Sequence, residues 1–90
     1  MAKTRKKIAR IPFDDLNPGR EVRAMWNAGD VVDNSQGIFQ RFQNIDGEWF
    51  LVLRVFELEL VSTRKKDWVD RGEIQISTRA GIEVWAWDRK

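Results

Sequence analysis

The dipeptide Asp46-Gly47 stands between two strand-like runs, "GIFQRFQ" and "EWFLVLRVFELELV". An Asp-Gly pair supplies the two left-handed backbone positions that a two-residue hairpin turn requires, so the segment reads as two antiparallel strands joined tightly. With those two residues as the turn, Ile45 faces Glu48, Phe42 faces Leu51 and Ile38 faces Val55. One face then gathers Ile38, Phe42, Trp49, Leu51, Leu53 and Val55, and the other gathers Phe39, Arg41, Phe50 and Arg54.

The second of these strands contains a conflict of parity. Through Val55 its odd positions are apolar, but beyond it the even positions Phe56, Leu58 and Leu60 are apolar while Glu57 and Glu59 are odd. One extra residue near Val55-Phe56, a β-bulge, would reverse the alternation and keep Arg54, Glu57 and Glu59 on the solvent side. A bulge there also implies a strong bend.

Strands are expected near 37–43, 48–61, 72–78 and 82–88, the third and fourth joined by Arg79-Ala80-Gly81 with glycine at a left-handed position. That turn places Ile74, Ile76, Ile82, Val84 and Ala86 on an aliphatic face and Glu73, Gln75, Ser77, Glu83, Trp85 and Trp87 on a mixed one. Trp85 and Trp87 are then either roofed by the N-terminal part of the chain or exposed as a contact surface, the role in which tryptophan is most enriched. Between the second and third strands, residues 62–72 read as a polar loop with Arg64, Lys65 and Lys66 just before Trp68. The simpler reading tucks Trp68 into the core; the alternative stacks it on a base beside phosphate-binding cations.

Upstream, "FDDLNPGREVRAMWNAGD" carries helix punctuation: Asn17 as cap, Pro18 at the first position and Gly29 as stop. Val22, Met25 and Trp26 fall at helical spacing, so a helix over about 18–28 is expected, docked on the sheet. The fold class that follows is α+β: a four-stranded, strongly bent antiparallel meander curling towards a small, partly open barrel, with one short N-terminal helix.

Ninety residues with a 42% apolar composition fit one domain, here residues 11–90, preceded by an arm, residues 1–10, expected to be flexible. The arm concentrates Lys3, Arg5, Lys6, Lys7 and Arg10, leaving 11 basic against 14 acidic residues in the other eighty. A cationic arm suits phosphate backbones; it equally suits a solubilising tail. The longest apolar run, Trp49 to Leu53, is far short of the roughly 20 residues that span a bilayer, so a cytoplasmic protein with no membrane partner is expected.

Histidine, cysteine and tyrosine are all absent, which removes the commonest general base, the thiol nucleophile and the usual nitrogen and sulfur ligands of zinc. The carboxylate pairs Asp14/Asp15, Glu57/Glu59 and Asp67/Asp70 follow no metal-loop pattern. No enzyme, metal or cofactor is expected. The function expected is a small nucleic-acid-binding or regulatory module acting through the basic arm, Arg41, Arg54, Arg64, Lys65, Lys66, Trp68, Trp85 and Trp87. The alternative is a protein-binding accessory factor, an inhibitor or adaptor, acting through the same aromatic face or a strand edge.

Overall fold

A computed structural model describes residues 8–87. Its regular structure is one six-stranded antiparallel sheet, with strands β1 (Ile8–Arg10), β2 (Glu21–Ala28), β3 (Val31–Ile45), β4 (Glu48–Ser62), β5 (Lys65–Ser77) and β6 (Glu83–Trp87). The order across the sheet is β1-β6-β2-β3-β4-β5. The only helical segments among the described residues are two three-residue 3-10 turns, Phe13–Asp15 and Thr78–Ala80. The α+β class and its four strands plus helix are therefore corrected to an all-β sheet.

The segment expected as a helix is strand β2. Val22 and Ala24 are fully buried and Trp26 packs on the core behind them, a period of two that shares Val22 and Trp26 with the helical pattern but takes Ala24 in place of Met25. A helix of three turns gains little by itself, whereas the strand pairs with β3 on one side and β6 on the other, and that tertiary pairing decides the conformation. Asn17-Pro18-Gly19-Arg20 forms a turn rather than a cap, the Arg20 N–H donating to the Asn17 carbonyl over 3.2 Å. Gly29 ends no helix; Gly29-Asp30 is the β2–β3 hairpin turn, with Ala28 opposite Val31.

The Asp46-Gly47 hairpin forms as expected, both residues having positive φ (52° and 87°), with Ile45 opposite Glu48 and Phe42 opposite Leu51. Beyond Arg41 the register slips, because β3 carries an extra residue, Gln40, between Phe39 and Arg41. That bulge brings Phe39 and Phe42, three apart in sequence, onto one face, their ring centroids 5.2 Å apart. Phe39 is consequently core, at 2% exposure, and Ile38 faces Arg54 on the outer side, the reverse of the sequence expectation. Trp49, expected inside, is exposed at the end of the core.

β6 does not pair with β5. Gly81 does adopt the left-handed conformation (φ 68°, ψ 48°), but the chain after it crosses to lie between β1 and β2. Four strand spacings would put β5 and β6 about 19 Å apart in a flat sheet. The connection is residues 78–82, three of them in a 3-10 turn, which reaches only about 15 Å at most. The sheet must curl, and it does: Ile76 of β5 and Ile82, Val84 and Ala86 of β6 share one core with Val22, Ala24, Phe39, Leu51, Leu53 and Val55. Residues 11–16 cover this inner face, Leu16 buried and Ile11 and Phe13 packed beside it, with the Ile11 N–H donating to the Val84 carbonyl over 2.8 Å.

Candidate functional site

Two hairpins extend past the core and part company. β3 and β4 are paired only from Gly37 and Val55 towards the Asp46-Gly47 turn. Before Gly37, residues 31–36 pair with β2 alone; after Val55, residues 56–62 pair with β5 alone. Gly37 and Val55 thus form the root of a fork. The radius of gyration, 15.0 Å, exceeds the roughly 12 Å of a compact domain of this length, as two projecting hairpins require.

At the fork the polarity of the sheet faces is exchanged. The register shift expected near Val55-Phe56 is present, but the extra residue lies on β5, where Arg71 and Gly72 together oppose Val55. β4 therefore keeps its alternation, and the expected inward turn of Phe56 and Leu58 is corrected. Arg54, Phe56, Leu58 and Leu60 share the outer face with Asp70, Trp68 and Lys66 opposite them. Glu57 and Glu59 continue the inner face beyond the core, where both pair with Arg71, Glu57 at 3.4 Å. That clamp gives both carboxylates of the Glu57/Glu59 pair one cationic partner on the neighbouring strand. The residue pattern that looked like a bulge in β4 is a strand whose apolar face leaves the core and turns to solvent.

The outcome is an exposed apolar strip: Leu58 is 51%, Leu60 62%, Val61 51% and Trp68 57% exposed. At the root, Phe56 and Trp68 meet Glu21, Gln36, Gly37 and Ile38 around a recess of about 190 Å³. A second hollow, about 420 Å³, continues along the fork between Asn34 and Gln36 on one side and Glu57 and Leu58 on the other. Arg23 reaches over it from β2, held by the Asn34 and Gln36 side-chain oxygens at 2.8 and 3.1 Å. The other hairpin tip exposes Val31 and Val32 at 64% and 60%.

The residues singled out in the sequence do not converge on one site. The presumed loop 62–72 is strand except for Thr63-Arg64, so Arg64, Lys65, Lys66 and Trp68 lie together at an exposed hairpin tip, and Trp68 is not tucked into the core. Arg10 and Trp85 lie at the opposite side of the sheet, Arg10 opposite Trp85 and Trp85 opposite Arg23. Trp85 is half-buried on the outer face, with its indole Nε1 shielded and without a hydrogen-bond partner among the described residues. No helix roofs it. Lys3, Arg5, Lys6, Lys7 and the side chain of Trp87 lie outside the described residues; the last three residues of the arm form β1. Val31, Val32, Leu58, Leu60 and Val61 were not singled out, although the parity conflict in β4 pointed at two of them.

Arg41 and Arg54 share the outer face as expected, without Phe39. Each is held by a carboxylate of β5: Arg41 grips Glu73 with two bonds of 3.1 and 3.2 Å, and the Arg54 Nε donates to Asp70 over 2.8 Å. The hydrogen bond from Arg54, aided by the Gly72 backbone N–H, holds the Asp70 carboxyl below its ordinary pKa, and the bond from Arg41 does the same for Glu73. The same bonds raise both guanidinium groups. A carboxyl whose folded pKa is depressed stabilises the fold above its unfolded pKa and loses that contribution as pH falls through the folded value. The pairs are exposed, so the contribution is small and salt-sensitive. Carboxyl titration followed by NMR should give Asp70 and Glu73 midpoints below the ordinary carboxylate range, and Arg54→Ala should return Asp70 upward towards it; an unchanged Asp70 midpoint would remove the pair from solution.

Among the described residues no cluster of three carboxylates could hold a metal ion, and no helix is long and apolar enough to cross a membrane. The geometry offers contact surface: an apolar strip, two hollows and two strand edges. Comparison with protein-family models, with curated proteins and with solved structures finds no match to this chain.

Proposed function

We propose that the chain is a non-enzymatic protein-binding module whose contact surface is the fork and the outer face of the β4–β5 hairpin. The observation that carries this reading is the alignment of Leu58, Leu60 and Trp68 on one solvent-facing side of a hairpin, each more than half exposed. Water-exposed apolar side chains scattered singly are ordinary; a contiguous strip beside hollows marks an interaction surface. The bare edges of residues 31–36 and 56–62 add main-chain donors and acceptors that a partner strand could use. Arg41 and Arg54 weigh against a phosphate partner, because their charge is met by Glu73 and Asp70.

A nucleic-acid reading draws on a separate observation: Trp68 is exposed two residues from Lys66, with Arg64 and Lys65 next to it at the tip. Stacking plus phosphate contacts would use these groups. Affinity capture from lysate, with and without nuclease, distinguishes the two. The protein-binding reading expects capture that survives nuclease and is lost in Trp68→Ala and Leu60→Ala, each costing about 2 kcal/mol or more of binding. Neither substitution should move folding stability by more than about 0.5–1 kcal/mol, since both side chains are largely exposed. Capture abolished by nuclease would transfer the function to nucleic acid, and capture indifferent to both substitutions would remove the surface.

A further inference from the structure

The recess at the root of the fork has an aromatic wall and one acidic corner. Phe56 lies opposite Asp70 and Trp68 opposite Leu58, so the two rings are diagonal neighbours on the outer face of the β4–β5 hairpin, about 7–8 Å apart at the backbone. Across the root stand Ile38 of β3 and, opposite it on β2, Glu21. Of the residues that line the recess, Glu21 alone is charged. It is exposed, and among the described residues its carboxylate takes part in no ion pair and no side-chain hydrogen bond. Arg23 and Arg54, on the same face, are engaged elsewhere. Arg54 is held by Asp70, and Arg23 lies on the adjoining hollow with its guanidinium on the Asn34 and Gln36 oxygens.

We infer that this recess takes a basic side chain, lysine or arginine, of a protein partner whose strand lies along one of the bare edges. The inference rests on the protein-binding reading and names the side chain that anchors it. Aromatic rings attract a cation through their quadrupole, and Glu21 supplies the opposite charge beside them. An aliphatic occupant would instead cover the Glu21 carboxylate without giving it a partner, which costs free energy, and an acidic occupant would be repelled. The volume, about 190 Å³, is below the roughly 300–1,000 Å³ of sites that enclose a small-molecule ligand, and suits the end of one side chain. A strand added to the edge of residues 31–36 or 56–62 sends alternate side chains to the outer face, where the recess opens. The partner's main chain then meets the edge while one of its side chains meets the aromatic wall and Glu21.

Three capped pentapeptides test the inference, each with four glycines around a central arginine, citrulline or leucine; citrulline keeps the shape of arginine and lacks its charge. Binding to the full chain is followed by the NMR signal of the Trp68 indole N–H. The arginine peptide should bind about fivefold or more tighter than the other two, and the margin should shrink as salt is added. Glu21→Gln should bring the arginine peptide down to the level of the citrulline one. Asp33→Asn, which removes an exposed carboxylate on the β2–β3 hairpin away from the recess, should leave the margin in place. Circular dichroism melts establish that both variants remain folded. Equal binding of the arginine and citrulline peptides, a margin unchanged in Glu21→Gln, or a Trp68 signal that none of the peptides moves overturns the inference. If it is overturned and capture of a protein from lysate is still lost in Trp68→Ala, the basic anchor fails while the protein-binding reading stands.

Discussion

Phe39→Ala should lower the stability of the folded chain by about 3–5 kcal/mol, the cost of removing a buried aromatic ring and leaving its cavity. A domain of this size has roughly 5–13 kcal/mol in all, so the variant loses a large share of it. Phe39 is buried among Leu53 opposite it, Phe42 beside it and the rest of the inner-face cluster. Its backbone also ties the approach to β2, accepting from the Gly19 N–H and donating to the Arg20 carbonyl, each over 2.8 Å. Ile38→Ala is the control. The Gln40 bulge puts Ile38 half-buried on the outer face opposite Arg54, so its truncation should cost roughly 1 kcal/mol, nearer the average for a substitution. Denaturant midpoints of the two variants settle the register: a larger loss at Ile38 than at Phe39 would mean that β3 has no bulge.

The second large effect is expected at the root of the fork. Gly37 is buried opposite Val55, and a Cβ added there would overlap the carbonyl oxygen of Arg54, lie 2.9 Å from its carbonyl carbon and 3.1 Å from the Leu53 Cγ. The first two obstacles are backbone, which cannot swing aside as a side-chain tip can. Gly37→Ala must therefore push β3 from β4 where they last pair, at a cost of about 1–3 kcal/mol or more. The requirement is for close approach, since Gly37 has no positive φ. Thermal unfolding measures the loss, and an alanine variant with unchanged stability would contradict the close packing of the root.

These two positions also show where sequence reasoning reaches and where it stops. Local chemistry was legible: Asp46-Gly47 set the turn and the pairing as far as Arg41 opposite Val52, and Gly81 took its left-handed conformation. The inner faces of β5 and β6 followed from alternation, with Ile76, Ile82, Val84 and Ala86 buried. Pairing between distant segments was not legible. Nothing local to Glu83–Trp87 says that it leaves β5 for β2 and β1, because that choice depends on the curl of the whole sheet. Nor could a strand face of Val22, Ala24 and Trp26 be preferred to the helical stripe Val22, Met25 and Trp26 while Asn17-Pro18 and Gly29 offered plausible caps.

The contact surface was half legible. The parity conflict after Val55 was correctly located, but it admits two solutions: an extra residue in β4, or a strand that carries its apolar side chains out of the core. The first assumes that apolar means buried. The structure adopts the second, with the extra residue on β5 at Arg71-Gly72 and with Leu58 and Leu60 facing water. Arg41 and Arg54 were rightly placed together, yet their partners Glu73 and Asp70 lie 32 and 16 residues away, beyond what any local pattern reports. The cations Arg64, Lys65 and Lys66 were visible as composition, but only the structure sets them at an exposed hairpin tip.

Amide hydrogen exchange, followed residue by residue, tests the fork most directly. In dilute protein, amides of residues 31–36 that point away from β2, and of residues 57–61 that point away from β5, should exchange quickly, while those joining β3 and β4 from Gly37 to the Asp46-Gly47 turn stay protected. Slow exchange along the whole of β3 and β4 in dilute, monomeric protein would mean that the strands never part, and the contact surface proposed for this chain would not exist.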